Sequence, residues 1–169
     1  MVEDTKLAVT RGEVPAVILE NIKKHFKSWD SFTLNQIEIT LLNGLSNSCY
    51  RVYIKDNTSV GVEPFNLLYR KFECAISDKK VEATVFKSMS DQGIGPLLYY
   101  QNDEYRIESF FDGRPISIWE MRNPIVMKVL ARKLFEFNFN KDAISKISAF
   151  KPIDRDHLGL DIAIDKWAN

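Results

Sequence analysis

An arginine, Arg70, stands inside the otherwise apolar run Phe65–Phe72 (FNLLYRKF). A guanidinium is costly in such a place unless a carboxylate or a phosphate meets it. Its neighbour Lys71 points to the opposite face of an extended strand and reads as solvated. Glu82 lies on the next predicted helix, beside the apolar stripe, at a separation that lets it fold back over a sheet onto Arg70. The plainer alternative is a surface ion pair of little weight. Upstream, Leu42, Asn43, Gly44, Leu45, Ser46, Asn47 and Ser48 join two predicted strands. Gly44 lets the backbone approach an anion, and successive N–H groups together with Ser46 can donate to it. An Asn-Gly connection serves equally well as an ordinary hairpin turn. A backbone-rich turn, a strand cation and a carboxylate that fixes the cation are what phosphoryl transfer asks for, because that chemistry is mostly positioning and charge neutralisation.

The elements that must carry these residues follow from periodicity. In EVPAVILENIKKHFK (13–27), Val14, Val17, Ile18, Ile22 and Phe26 recur at helical spacing, with Pro15 in the first turn. His25 on this helix has no second His or Cys at ligand spacing and reads as a packed or exposed surface histidine. Ile37, Ile39 and Leu41 alternate with polar residues, as do Tyr50, Val52 and Ile54, which predicts a hairpin. Phe65–Phe72 is a third strand. Ser77 or Asp78 caps a helix with an inner stripe of Val81, Val85 and Met89 that stops at Gly93. Two short strands, LLYYQ and YRIESFF, follow around the turn Asn102-Asp103-Glu104. After Asp112-Gly113-Arg114-Pro115, Ser117 and Glu120 have capping-box spacing, and Asn123-Pro124 opens a helix bearing Val126, Val129, Leu130, Leu134 and Phe137. From about Lys141 the sequence reads as polar and less regular, with a short helix at Asp161–Trp167. This order lacks the parallel βαβ alternation, GxGxxG and GxxxxGK[ST] of other nucleotide-binding folds. It predicts an α+β, protein-kinase-like fold: an antiparallel five-stranded small lobe with one inserted helix, then a hinge and the start of a helical large lobe. The expected divisions are 1–30 for the N-terminal helix, 31–111 for the small lobe and 112–169 for the hinge and first large-lobe helices.

Composition narrows the function classes. The 169 residues carry 23 Lys+Arg against 23 Asp+Glu and are 45% hydrophobic, enough apolar content to form a core. Charge is balanced in both halves, so nucleic acid binding loses its electrostatic drive. No apolar stretch reaches the roughly 18 residues of a membrane span, and the N-terminus is too acidic and polar for a secretory signal. Cys49 and Cys74 form neither a disulfide framework nor a metal-ligand spacing, and a reducing cytoplasm is the expected setting.

At this point a family resemblance is carried by several segments in order: NGLSN after a strand, LLYRKF, the helix with Glu82, GIGPLLYY, RIESFFDGRPI and NPIVMKVLARKL. Over roughly residues 20–140 they resemble the N-terminal half of the choline/ethanolamine kinase family. The arginine in place of lysine on strand three, Gly-Pro before the fourth strand and an acidic residue before the hinge add to the likeness. The resemblance implies an ATP- and Mg2+-dependent kinase, expected as a homodimer, that phosphorylates the hydroxyl of choline or ethanolamine on the way to phospholipids. It makes Leu42–Ser48 the ATP-binding loop, with Gly44, Leu45 and Ser46 also near the phosphorylated product. It assigns Arg70 to the ATP phosphates and Glu82 as its helix partner. Ser109, Phe110, Phe111, Asp112, Gly113, Arg114 and Pro115 match the hinge whose backbone would bond adenine. Phe110 and Phe111 would wall the ring, although both also suit a plain role as aromatics ending a strand.

The family's catalytic loop, H-x-D-x-x-x-x-N, does not occur in these 169 residues; His157 is followed by Leu158 and Gly159. The second metal ligand and the aromatic cage for a quaternary ammonium belong to the family's later half. Asp161, Asp165, Trp119 and Trp167 are not substitutes. The 169-residue polypeptide is therefore expected not to form phosphocholine by itself. A truncated, catalytically inactive kinase-like binding or dimerisation module is the alternative, with the reading frame after Asn169 as the discriminator. An aminoglycoside-directed phosphotransferase is a weaker third. The N-terminal helix is a candidate dimerisation element.

Overall fold

The structure, a computed structural model, describes residues 7–8, 13–42, 47–55, 61–73 and 78–152. The chain divides into two compact units, residues 1–115 and 116–169. The first unit is built on a six-stranded antiparallel sheet in the order β1-β2-β3-β4-β6-β5. Its strands are β1 (Leu7–Ala8), β2 (Ile37–Leu42), β3 (Asn47–Ile54), β4 (Asn66–Phe72), β5 (Leu98–Gln101) and β6 (Tyr105–Ser109), with helices α1 (Glu13–His25) and α2 (Lys79–Asp91). Five strands and the inserted helix stand where the alternation of apolar residues puts them. The additional β1 is two residues long, too short to show a period.

Alternation sorts the sheet into two faces. Ile37, Ile39, Tyr50, Val52, Ile54, Leu67, Tyr69, Tyr105 and Ile107 share one buried cluster with Ile18, Leu19 and Ile22 of α1 and with Trp29 and Phe32 beyond it. Helix α1 is fastened by polar contacts as well. Asn21 Nδ2 donates to Tyr69 Oη at 3.0 Å, His25 stacks on Tyr100 at 3.6 Å between ring centroids, and Trp29 Nε1 donates to the Pro64 carbonyl at 2.8 Å. The apolar stripe of α1 is therefore used within the chain. Val14 and Val17, expected on that stripe, are instead exposed, because the helix turns its Ile18–Ile22 face to the sheet.

Helix α2 begins at Asp78, whose side chain accepts from the Lys80 and Val81 amides, and ends where Gly93 takes φ of +66°. That left-handed residue lets the Ile94 and Gly95 amides reach the Met89 carbonyl at 3.0 and 3.2 Å. Of the expected inner stripe Met89 is buried, while Val81 and Val85 are half-buried. Between β5 and β6, Asn102 Oδ1 accepts from the Glu104 and Tyr105 amides and closes the turn.

The second unit contains α3 (Ile118–Met121), α4 (Pro124–Asn138) and α5 (Lys141–Ser148). Ser117 and Glu120 form the reciprocal cap that their spacing predicts, and Asn123 caps α4 through the Ile125 amide. The apolar residues that this helix was expected to carry are not buried: Val129, Leu134 and Phe137 are exposed and Val126 and Leu130 half-buried. Trp119 lies on the surface with the Arg122 guanidinium 4.7 Å from its ring. The segment after Lys141, read as irregular, forms α5 instead, capped by Asn140 and closed by a Lys146–Asp142 pair at 2.7 Å. The helix expected at 161–167 lies outside the described residues.

Candidate functional site

The sheet face opposite α1 collects the charged strand residues. Arg70 stands on β4 directly across from Cys49 of β3 and from Arg106 of β6. Two guanidiniums facing each other repel unless a carboxylate lies between them. Glu108, two residues along β6 and hence on the same face, supplies it. Its Oε1 accepts from Arg70 Nη2 at 3.3 Å and its Oε2 from Arg106 Nε at 2.6 Å. Glu108 is 1% exposed and Arg106 3%, so this pair is dry. Arg106 extends toward α2, where its Nη1 meets Glu82 Oε1 at 3.5 Å and its guanidinium lies 3.7 Å from the Phe86 ring centroid.

This geometry corrects one expectation. Among the described residues the carboxylate on Arg70 is Glu108, and Glu82 meets Arg106 instead. The reason is register: β6 separates Arg70 from α2, so the helix carboxylate encounters the β6 arginine first. Arg70 keeps 28% of its side chain exposed, and its buried Nε has no partner among the described residues. The exposed part of the guanidinium can thus meet an anion on the open face.

The ends of the phosphate-loop candidate reach the same neighbourhood. Leu42 ends β2 opposite Cys49, and Asn47 and Ser48 open β3 opposite Phe72 and Lys71. Asn47 Oδ1 also accepts from the Glu73 amide at 3.4 Å. Asn43, Gly44, Leu45 and Ser46 lie outside the described residues. At the other end of β4, Leu67 pairs with Ser109, the last strand residue before the predicted hinge. The Ser109 amide donates to the Leu97 carbonyl at 2.9 Å, so Ser109 cannot offer that N–H to a ligand. Phe110 is half-buried and Phe111 exposed, and Asp112, Gly113, Arg114 and Pro115 are exposed.

Arg51 of β3 is a site neighbour that the motif reading does not single out. Its guanidinium lies 4.4 Å from the Phe110 ring centroid and 4.7 Å from that of Tyr53, and its Nε donates to Asn66 Oδ1 at 3.2 Å. Its signal was available in the alternation of β3, which puts Cys49, Arg51 and Tyr53 on one face. Cys49 is a free, buried thiol whose pKa burial pushes up, against a lowering pull from Arg70, so it is a poor nucleophile. A cleft of about 750 Å³ lies between α2 and β5, lined by Phe72, Lys80, Lys87, Tyr100 and Gln101 among others; of the expected site residues only Glu82 borders it. Among the described residues no three His, Cys, Asp or Glu side chains converge to hold a metal ion, and no helix is long and apolar enough to cross a membrane.

The comparisons with known proteins agree with this layout. The choline/ethanolamine kinase family model matches residues 39–152. A human choline/ethanolamine kinase is 30% identical over 99 residues, which cover 56% of this chain and 25% of that protein. A probable ethanolamine kinase from Arabidopsis thaliana is 25% identical over 122 residues, 72% of this chain and 33% of its own length. In fold, a choline kinase from Cryptosporidium parvum superposes with a TM-score of 0.66 at 22% identity, over 90% of this chain and 41% of that structure. An ethanolamine kinase from Plasmodium vivax gives 0.59 at 20% identity, over 83% and 39%. The chain thus spans between a quarter and a third of the curated relatives it matches. A match extending from β2 through α5, around a sheet of the same architecture, makes this chain a member of the choline/ethanolamine kinase family.

Proposed function

We propose that residues 31–111, backed by the N-terminal helix of 1–30, form the nucleotide-binding lobe of a kinase that transfers a phosphoryl group from ATP to the hydroxyl of choline or ethanolamine. Residues 112–169 would be its hinge and first large-lobe helices. The observation that carries this reading is Arg70, held by Glu108 on the open sheet face between the ends of the loop 42–48 and the hinge. Arg70 stands three residues along β4 from Leu67, the partner of Ser109, which is roughly 10 Å at the rise of a strand. A nucleotide lying along β4 would thus have its base at Phe110 and its phosphates at Arg70.

In this arrangement ATP supplies the transferable phosphoryl group. Arg70 donates to phosphate oxygens and offsets their charge, a charge-assisted contact worth about 1.5–3 kcal/mol. The loop 42–48 is assigned to the same phosphates by its sequence, with Gly44, Leu45 and Ser46 also assigned to the phosphorylated product. Phe110 and Phe111 flank the base, with Arg51 stacked behind Phe110. Holding the nucleotide straight along one strand is the entropic part of catalysis that this lobe can provide. The residues described here do not fit a Mg2+ site, so no step is assigned to the metal in this part of the chain. The base that orients the acceptor hydroxyl and the amine pocket are likewise assigned to sequence other than these 169 residues.

The test is to assay the product of the whole reading frame with ATP and each amine. Formation of phosphocholine or phosphoethanolamine is expected; no transfer to either amine overturns the proposal. The 169-residue chain by itself is expected to give neither product.

A further inference from the structure

We propose that Glu108 is the positioning residue for Arg70, and that α2 acts on Arg70 only at one remove, through the relay Glu82, Arg106, Glu108. This deepens the reading above and rests on it for the role of Arg70. Three observations carry it. First, Glu108 divides its two oxygens between the arginines, with the shorter bond, 2.6 Å, to Arg106 and the longer, 3.3 Å, to Arg70. The carboxylate is thereby fixed from the Arg106 side and presents its other oxygen to Arg70. Second, Arg106 is itself clamped, its guanidinium 3.7 Å from the Phe86 ring centroid on α2 and 5.6 Å from that of Phe72 on β4. Third, Glu82 meets this set at Arg106, in a long 3.5 Å approach from a side chain that is 36% exposed. Glu82 is therefore a weak outer member, and the buried carboxylate is the inner one.

A movement of α2 would shift Arg106 through Phe86 and Glu82. Glu108 would follow, because its bond to Arg106 is the shorter of its two. Arg70, which Glu108 grips at one Nη among the described residues, would lose or gain its aim at an anion on the open face. An exchange of Glu108 for glutamine keeps the volume of the side chain but removes the charge from between two facing guanidiniums.

The direct test reads the Arg Nε–H resonances of the 169-residue chain by NMR, with the Arg70 signal identified by its loss in Arg70→Lys. Glu108→Gln is expected to shift the signals of both Arg70 and Arg106, and Glu82→Gln that of Arg106 with a far smaller change at Arg70. The relay is overturned if Glu82→Gln moves the Arg70 signal as much as Glu108→Gln does. The functional arm uses the product of the whole reading frame. Glu108→Gln is expected to raise the KM for ATP tenfold or more while leaving the KM for the amine within twofold, and Glu82→Gln to raise the ATP KM less than threefold. In an Arg70→Ala background Glu108→Gln should add less than twofold, because its effect acts through Arg70. Full additivity of the two changes would contradict a positioning role and leave Glu108 as a merely structural carboxylate. If Arg70→Ala itself leaves the ATP KM unchanged, the nucleotide reading fails, and the resonances alone then decide the relay.

Discussion

The two faces of the central sheet are made by the same strands and differ in almost every physical respect. On β4, Leu67 and Tyr69 enter the dry cluster beneath α1, while Leu68, Arg70 and Phe72 occupy the other side. On β6, Tyr105 and Ile107 do the first and Arg106 and Glu108 the second. Burial is nearly complete on both sides of β6, so exposure does not distinguish the faces. What differs is the source of cohesion. One face gains from removing apolar area from water, and the other holds charges whose desolvation must be offset by one another. The first kind of face stabilises a fold, and the second is suited to holding a cation at an open surface.

Substitutions on each face should separate these roles. Ile107, with no exposed surface, is at the centre of the apolar side. Ile107→Ala should lower unfolding stability by about 2–5 kcal/mol, read from urea titration, because a cavity adds to the lost transfer energy. Arg51→Ala on the open side should cost less than about 1 kcal/mol. A comparable loss in both would mean that the open face is structural too. On the α1 side, Asn21→Ala removes the bond to the Tyr69 hydroxyl and should cost about 1–2 kcal/mol. At the end of α2, Gly93→Ala forces a side chain into φ of +66° and should cost about 1 kcal/mol, with no change expected in nucleotide binding.

The smallest expected effect is a pH dependence of the α1 contact. Burial, reinforced by Lys24, lowers the pKa of His25 below 6.5, whereas Tyr105, which His25 Nε2 meets at 3.1 Å, is pushed up to about 12 by burial and stays neutral. A lowered histidine pKa means that the unfolded chain binds the proton more readily. The stability held by neutral His25 is thus present above about pH 6.5 and declines as pH falls below it, until the folded histidine also titrates. Urea midpoints at pH 7.5 and 5.5 should differ more for the native chain than for His25→Gln; an equal difference would remove His25 from the account.

Much of this was legible in the residue pattern. Alternation set five strands, and Asp78, Ser117, Asn123 and Gly93 each mark a helix boundary by their own chemistry. Helix α5 escaped because it is only eight residues long and relies on Asn140 for its start, a cap that a polar stretch hides. The exposure of the apolar residues of α4 was not legible, because periodicity tells which residues could be buried and not whether anything covers them. The partner of Arg70 was misassigned for a different reason. Helix-to-strand distance in sequence favours Glu82, but strand order is a tertiary fact, and β6 inserts between β4 and α2. Arg106 and Glu108 on either side of Ile107 were visible as the polar side of an alternation, yet only the cross-strand register shows that they stand beside Arg70.

The central claim is that the charged face binds the nucleotide through Arg70 while the apolar face carries stability. Its most direct test is the KM for ATP of the Arg70→Ala variant in the product of the whole reading frame, measured alongside its thermal midpoint. Loss of one charge-assisted contact of about 1.5–3 kcal/mol predicts a rise of roughly ten- to a hundredfold in that KM, with the midpoint little changed. An unchanged KM, or a rise that merely tracks a large fall in thermal stability, would contradict it.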